Sequence, residues 1–313
     1  MYERPSVAFM KTKSRPSVSK DVWWELTSTP CSTGVTSPWG ITVPVLLPCV
    51  PACTGSIRPR HAEPIRCGRN SRRPNAVGGP ARRSHPTQQH RKVESMKIGI
   101  IGAGNIGGNL TRRLTELGHD VSVANSRGPD TLQALVDETG ATAVTAAQAA
   151  RDARIVVVTV PLGRVPDLPS GLIDGAAPGA AVIDTGNYYP QRDGRIAAIE
   201  DGLPESRWTE QQIGHPVIKA FNGTYAQDIL DRGLPQGTPG RQALPVSGDD
   251  PAAKQAVREL ISELGFDTVD TGGLDESWRQ QPGTPVYGNR GDADAILKAL
   301  ADASPERTAE WRA

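Results

Sequence analysis

The densest chemistry in the sequence lies in six consecutive residues. Gly102-Ala103-Gly104-Asn105-Ile106-Gly107 sets glycine at the first, third and sixth positions, a spacing suited to holding a pyrophosphate. Gly102 permits a tight turn, Gly104 removes the Cβ that would collide with the anion, and Gly107 lets a helix pack closely on a strand. Asn105 and Ile106 then open that helix, whose unpaired N–H groups and dipole favour negative charge. The pattern carries weight only between a strand and a helix. Lys97–Ile101 is a short apolar run suited to a buried parallel strand, and Leu110, Leu114 and Leu117 recur at helical spacing before Gly118, a helix stop.

A dinucleotide needs its ribose read next. Asp120–Ala124 reads as the second strand, and an enzyme using NAD places a carboxylate at its end for the 2′-hydroxyl. Here that end is Asn125-Ser126-Arg127. Arg127 is suited to charge-assisted bonds with a 2′-phosphate, and Ser126 and Asn125 can donate more. NADP is therefore the expected cofactor. The competing reading is a solvated turn, with Asp130 close enough to weaken the phosphate case.

Other candidates fall at strand ends, because ligands bind outside the carboxyl ends of parallel strands. Thr159, Val160 and Pro161 end the apolar run Ile155–Val160 and are expected on the nicotinamide side. Asp184, Thr185, Asn187, Lys219 and Asn222 are expected to face the same crevice. Lys219 reads either as a general acid for a carbonyl or imine or as an anchor for backbone carbonyls or Asp184. Asn187 and Asn222 read either as groups orienting the nicotinamide amide or acceptor or as local turn caps. Of the histidines after Met96, His119 reads as a packing residue at a helix-to-strand turn. His215 stands before Pro216 with a structural role favoured. The Arg279–Tyr287 segment, with two Gln, an Arg and a Tyr beside Pro and Gly, reads equally as a lining of the acceptor pocket or as a rigid loop.

Positioning these residues requires an alternating α/β chain. Thr131–Glu138 reads as a helix ending near Gly140, Ala141–Val144 as a short strand, and Ala146–Asp152 as a helix capped by Thr145. Ala180–Asp184 and Val217–Phe221 read as the fifth and sixth strands. Beyond residue 223, Leu244–Ser247 and Phe266–Asp270 read as strands flanking a helix, Pro251–Leu264, with Asp249 or Asp250 as cap and Gly265 as stop. The expected fold is α/β: a doubly wound parallel Rossmann sheet over residues 96–223, a small α/β extension over 224–302, and a tail over 303–313.

The first 95 residues are of another kind. They carry 15 Lys and Arg against 5 Asp and Glu, whereas residues 96–313 carry 20 against 29. All four cysteines, Cys31, Cys49, Cys53 and Cys67, lie there too. The segment is rich in Pro, Arg and Ser and has neither helical nor strand periodicity, so disorder is expected. A transit peptide, a nucleic-acid contact and a weakly spaced cysteine metal site are the other readings of the segment. The favoured reading is that the working protein starts at Met96 and that the extension is not part of it. The cysteine-free remainder fits a reducing cytosol, and a cytoplasmic location with no nucleic-acid partner is expected. No apolar run approaches the roughly 20 residues of a membrane-spanning helix, so no membrane partner is expected either.

The stretch Met96–Gly108 resembles the opening of reductases that move hydride between NADPH and an 8-hydroxy-5-deazaflavin, coenzyme F420. So do Asn125-Ser126-Arg127, Val158-Thr159-Val160-Pro161, Asp184-Thr185-Gly186-Asn187 and Lys219-Ala220-Phe221-Asn222. Arg279–Tyr287 resembles a segment of their bacterial relatives. The resemblance spans most of residues 96–290. It implies an NADP-binding Rossmann domain with a small C-terminal part, an oxidoreductase activity, a deazaflavin or other small-molecule acceptor, and a homodimer. Two alternatives stand beside it. One is reduction of a small imine or carbonyl, as in pyrroline-carboxylate reductases. The other is a non-catalytic NADPH-sensing module.

Overall fold

The computed structural model describes residues 94–306. The expected disorder of residues 1–95 and most of the expected tail therefore lie outside the described residues. Six strands form one parallel sheet: β1 (Lys97–Ile101), β2 (Asp120–Ala124), β3 (Thr142–Ala143), β4 (Ile155–Val158), β5 (Ala181–Asp184) and β6 (Ile218–Lys219). Their spatial order is β3-β2-β1-β4-β5-β6, and every pairing is parallel. This is the doubly wound Rossmann order. The chain reverses direction between β1 and β4, which opens a crevice at their carboxyl ends. The strands are nearly continuous runs of Ile, Val and Ala because helices cover both faces.

Each helix near the crevice has a local cause. Helix α1 (Asn105–Glu116) buries Leu110 and Leu114 against the sheet and ends where Gly118 takes a positive φ. Helix α2 (Gln133–Thr139) follows a 3₁₀ turn over Pro129–Leu132 and stops at left-handed Gly140. Helix α3 (Ala146–Ala150) starts in a capping box, with Thr145 and Gln148 each accepting the other's backbone N–H. This helix lies unusually close to β1. A Cβ on Gly99 would stand 2.1 Å from the Ala149 carbonyl oxygen, so only glycine fits there.

Several helices carry no clear mark in the sequence. Short α4 (Pro190–Asp193) and α5 (Ala197–Glu200) lead to α6 (Glu205–Ile213), and α7 (Ala226–Asp231) follows β6. The strand expected over Val217–Phe221 is cut to two residues because Phe221 adopts φ +62°, a left-handed conformation that cannot continue a strand.

The C-terminal extension pairs β7 (Ala243–Val246) in parallel with β8 (Asp267–Asp270) across α8 (Pro251–Glu263). Asp250 caps α8 through the N–H groups of Ala252 and Ala253. An antiparallel bridge between Lys219 and Ser247 joins the extension to the edge of the main sheet. Arg241, 2% exposed, donates to the Ser262 and Gly265 carbonyls and pairs with Asp267 at 2.7 Å, closing the end of α8. A 3₁₀ segment over Leu274–Gln280 and helix α9 (Ala293–Ala301) complete the packing. Among the described residues, no helix is long and apolar enough to cross a membrane, and no cluster of His, Cys, Asp or Glu is placed to hold a metal ion.

Arg207 on α6, paired with Glu210 of the same helix, ties this extension down through Asp249 and Asp275. The Leu274 N–H and then, against the cost of burial, Arg207 hold the Asp249 carboxyl below its ordinary range. Its stabilisation is thus complete above the unfolded carboxylate range and lost as pH falls through the lower folded value. Asp249→Asn should be less stable than the wild type at neutral pH, with the gap closing as pH drops below about 4; chemical unfolding at a series of pH values checks this. Gly99→Ala should cost about 2 kcal/mol or more through overpacking, and a loss under about 0.5 kcal/mol would refute the close α3–β1 contact.

Candidate functional site

The glycine turn after β1 is built by two kinds of constraint. Gly102 has φ +112°, and a Cβ there would stand 2.3 Å from the Thr159 carbonyl oxygen. A Cβ on Gly107 would stand 1.9 Å from the Gly102 carbonyl oxygen. Both glycines are explained by the protein's own packing of β1, α1 and the end of β4. Gly104 is different. Its φ is −77°, open to any residue, and a Cβ there would meet nothing within 4 Å. Neither the backbone conformation nor the packing around Gly104 calls for a glycine. Helix α1 starts at that point with no side-chain cap and no acidic residue in its first turn, so its leading N–H groups remain available to an anion.

The space is a cavity of about 760 Å³. Gly102, Gly104, Asn125, Ser126, Arg127, Thr159, Val160 and Pro161 all line it, so most of the cofactor candidates come together on one surface. A second cavity of about 660 Å³ lies across the turn and shares Gly104 and Arg127 with the first, with Asn105 in its wall. Ile106 and Gly107 line neither cavity; Ile106 packs on the core and Gly107 backs the turn.

At the end of β2, the Asn125 side chain accepts the Arg127 N–H at 2.9 Å and donates to Thr131 Oγ at 2.8 Å. It thereby shapes the turn, and the Ser126 and Arg127 residues stay exposed at the cavity rim. Arg164 joins the wall from the 3₁₀ segment Leu162–Asp167, paired with Asp167 at 3.0 Å. Sequence reasoning missed it because it sits beyond Pro161 in a segment with no periodicity.

The second group of candidates forms a separate, buried polar layer beyond β5 and β6. Lys219 is fully buried. Its ammonium donates to the Gly186 carbonyl at 2.5 Å and stands 3.6 Å from Asp184 and 3.8 Å from Glu205. Asp184 in turn accepts the Ser206 hydroxyl at 2.6 Å and the Gly186 N–H at 2.8 Å. These are the contacts of an anchor, and neither Lys219 nor Asp184 lines the two cavities. Glu205 and Ser206 were missed, since α6 follows the Gly202-Leu203-Pro204 turn without a recognisable motif.

Asn187 and Asn222 hold one another. Asn187 donates to the Asn222 carbonyl at 2.8 Å. Asn222 donates to the Asn187 side chain at 3.1 Å and to the Gln280 carbonyl at 2.7 Å. The Arg279–Tyr287 segment thus packs over the ends of β5 and β6. Its Tyr287 hydroxyl lies 2.6 Å from that of Tyr189, and Arg192 stacks on the Tyr189 ring. Burial, the Tyr287 hydroxyl and the charge of Glu205 push the Tyr189 phenol upward, with Arg192 opposing.

Residues 97–188 match the model of a family described as NADP oxidoreductase, coenzyme F420-dependent. Among solved structures, a hypothetical protein of Sinorhizobium meliloti, SMa0349, is 30% identical; the match covers 62% of this chain and 94% of that one, with a TM-score of 0.52. A chain from Arthrobacter sp. FB24, provisionally named an F420-dependent NADP-reductase, is 24% identical over 57% of this chain and 86% of that one, with a TM-score of 0.45. The protein YjhV of Escherichia coli (strain K12) is 48% identical over 67 residues, which are 21% of this chain and 49% of YjhV, so the match spans about half of that curated relative.

Gly104→Ala separates the ligand's demand from the protein's own. The variant should unfold at the wild-type temperature yet bind a nicotinamide dinucleotide at least tenfold more weakly, as the anion's approach is blocked. Unchanged affinity in a fluorescence titration would remove the pyrophosphate from this turn.

Proposed function

Starting from the premise that this chain belongs to the coenzyme F420-dependent NADP oxidoreductase family, we propose that it transfers hydride between NADP(H) and a deazaflavin or similar small-molecule acceptor. The observation that carries this reading is the cavity before Gly104, where the uncapped start of α1 meets Ser126 and Arg127. When bound, the nicotinamide cofactor supplies the hydride. The chain's task is to bind, orient and exclude water.

Gly102, Gly104 and Gly107, with the Asn105 and Ile106 N–H groups, would hold the pyrophosphate. Arg127 and Ser126 would read the 2′-phosphate, favouring NADP over NAD at a strand end without a carboxylate. Thr159, Val160 and Pro161 continue the wall from the glycine turn and would border the nicotinamide.

A reductase of imines or carbonyls that used Lys219 as its acid is less well supported. The ammonium is buried and already engaged by Gly186, Asp184 and Glu205, which leaves it poorly placed to meet a substrate.

The experiment is to follow NADPH absorbance with the full chain and oxidised coenzyme F420, and to repeat it with NADH. Oxidation of NADPH with matching bleaching of the deazaflavin is the expected result. Arg127→Ala should raise the KM for NADPH about tenfold or more, the worth of a lost charge-assisted contact, while leaving the KM for NADH within about twofold. NADPH binding without turnover would redirect the search to other acceptors and to a sensing role.

A further inference from the structure

We propose that the paired hydroxyls of Tyr189 and Tyr287 donate a hydrogen bond and pass the proton to the heteroatom of the hydride acceptor. This inference rests on the hydride-transfer reading above. Tyr189 lies two residues beyond Asn187 in the loop after β5. Tyr287 packs against the loop after β6: a Cβ on Gly223 would stand 3.5 Å from its Cα. The pair thus bridges the carboxyl ends of two adjacent parallel strands, the edge at which such sheets receive their ligands.

The chemistry calls for such a group. Reduction of a conjugated heterocycle, an imine or a carbonyl adds a hydride to carbon and a proton to nitrogen or oxygen. The usual donors lie elsewhere. His119 precedes β2 and is bonded to Met96 and Glu263, and His215 precedes β6, so both sit at the opposite edge of the sheet. Lys219 is locked by its three partners. The two hydroxyls, 2.6 Å apart and only partly buried, remain at the correct edge. Burial and the neighbouring charge of Glu205 keep Tyr189 protonated, so the pair meets an acceptor as a donor.

A second observation marks this layer as more than a structural tie. The Asn222 Oδ1, Gln280 Oε1 and Gln281 Nε2 atoms are buried and have no hydrogen-bond partner among the described residues. Each such atom has given up its water without gaining a partner, which destabilises the fold. Three of them gathered around the segment that carries Tyr287 are what a polar ligand or its bound waters would complete.

The step balances without a further reagent. Hydride adds to the acceptor carbon, the displaced π pair moves to the heteroatom, and that atom takes the proton of the nearer hydroxyl. The second hydroxyl reprotonates the first, and one proton taken up from solvent restores the pair. The products are NADP+ and the dihydro form of the acceptor.

The test uses Tyr189→Phe and Tyr287→Phe in the full chain. Both should bind NADPH within twofold of the wild type, a control for folding. Each should lower kcat with oxidised coenzyme F420 about a hundredfold, the low end of what a positioned proton donor supplies, with a smaller change in KM. Titration of oxidised coenzyme F420 into the NADP+-loaded chain gives a readout independent of turnover: its visible absorption band should shift in the wild type and not in either variant. Variants with wild-type kcat and the same band shift would reduce the pair to a loop tie. A wild type that binds NADPH yet neither binds nor reduces the deazaflavin would overturn the pair's role together with that acceptor. A wild type that fails to bind NADPH would overturn the cofactor site itself.

Discussion

The structure hangs on a backbone contact. The Gly102 turn, the first turn of α1 and the Thr159 carbonyl at the end of β4 approach so closely that neither Gly102 nor Gly107 has room for a Cβ. Dense packing transmits any change at that point: widening the contact would push α1 off the sheet, open β1 from β4, and tilt the uncapped N–H groups away from the cavity. The glycine spacing is therefore a packing requirement at Gly102 and Gly107, and at Gly104 it leaves open space beside the cavity.

A second constraint holds the acceptor side. Lys219, Asp184 and Glu205 bring three ionisable groups into a dry layer, where the desolvation cost is several kcal/mol per ion unless partners are well placed. Here the partners are plentiful: the Gly186 carbonyl and N–H, the Ser206 hydroxyl and the opposite charges themselves. The network fixes the loops after β5 and β6 relative to α6, and the paired Asn187 and Asn222 extend that order to the Gln280 carbonyl. Charge burial at this place gives two irregular loops a single geometry, which the carboxyl edge of the sheet could not obtain from apolar packing alone.

Most of the sheet was legible in the sequence because its strands are short apolar runs punctuated by glycine and proline. The stops at Gly118 and Gly140, the Thr145 cap and the β7-α8-β8 unit each follow from a local rule that the tertiary structure does not override. Legibility fails where non-local contacts decide. The two-residue β6 is cut by the positive φ of Phe221. Helices α4 to α7 begin at Pro190, at Ala197, after Pro204 and after Tyr225 with no side-chain caps. The residues that line the cavity were readable as a group because they lie in short consecutive runs at strand ends. Glu205, Ser206 and Tyr189 were not, since their meaning arises only when α6, β5 and the 280–287 segment meet in space.

The same contrast bears on how this fold acquires an acceptor. The half around the glycine turn is made of regular elements and fixed glycines, which any member of a Rossmann lineage can share. The other half is made of the loops after β5 and β6 and the segment over Gln280–Tyr287, tied to one another through the Asn222 bond to the Gln280 carbonyl. Those loops carry amides, tyrosines and orphaned polar atoms, and few of their residues answer to secondary structure. Changes there alter what is recognised without disturbing the β1-α1-β4 contact. The glycine turn can thus stay constant in such a chain while these loops vary, because the two are held by physically separable sets of interactions.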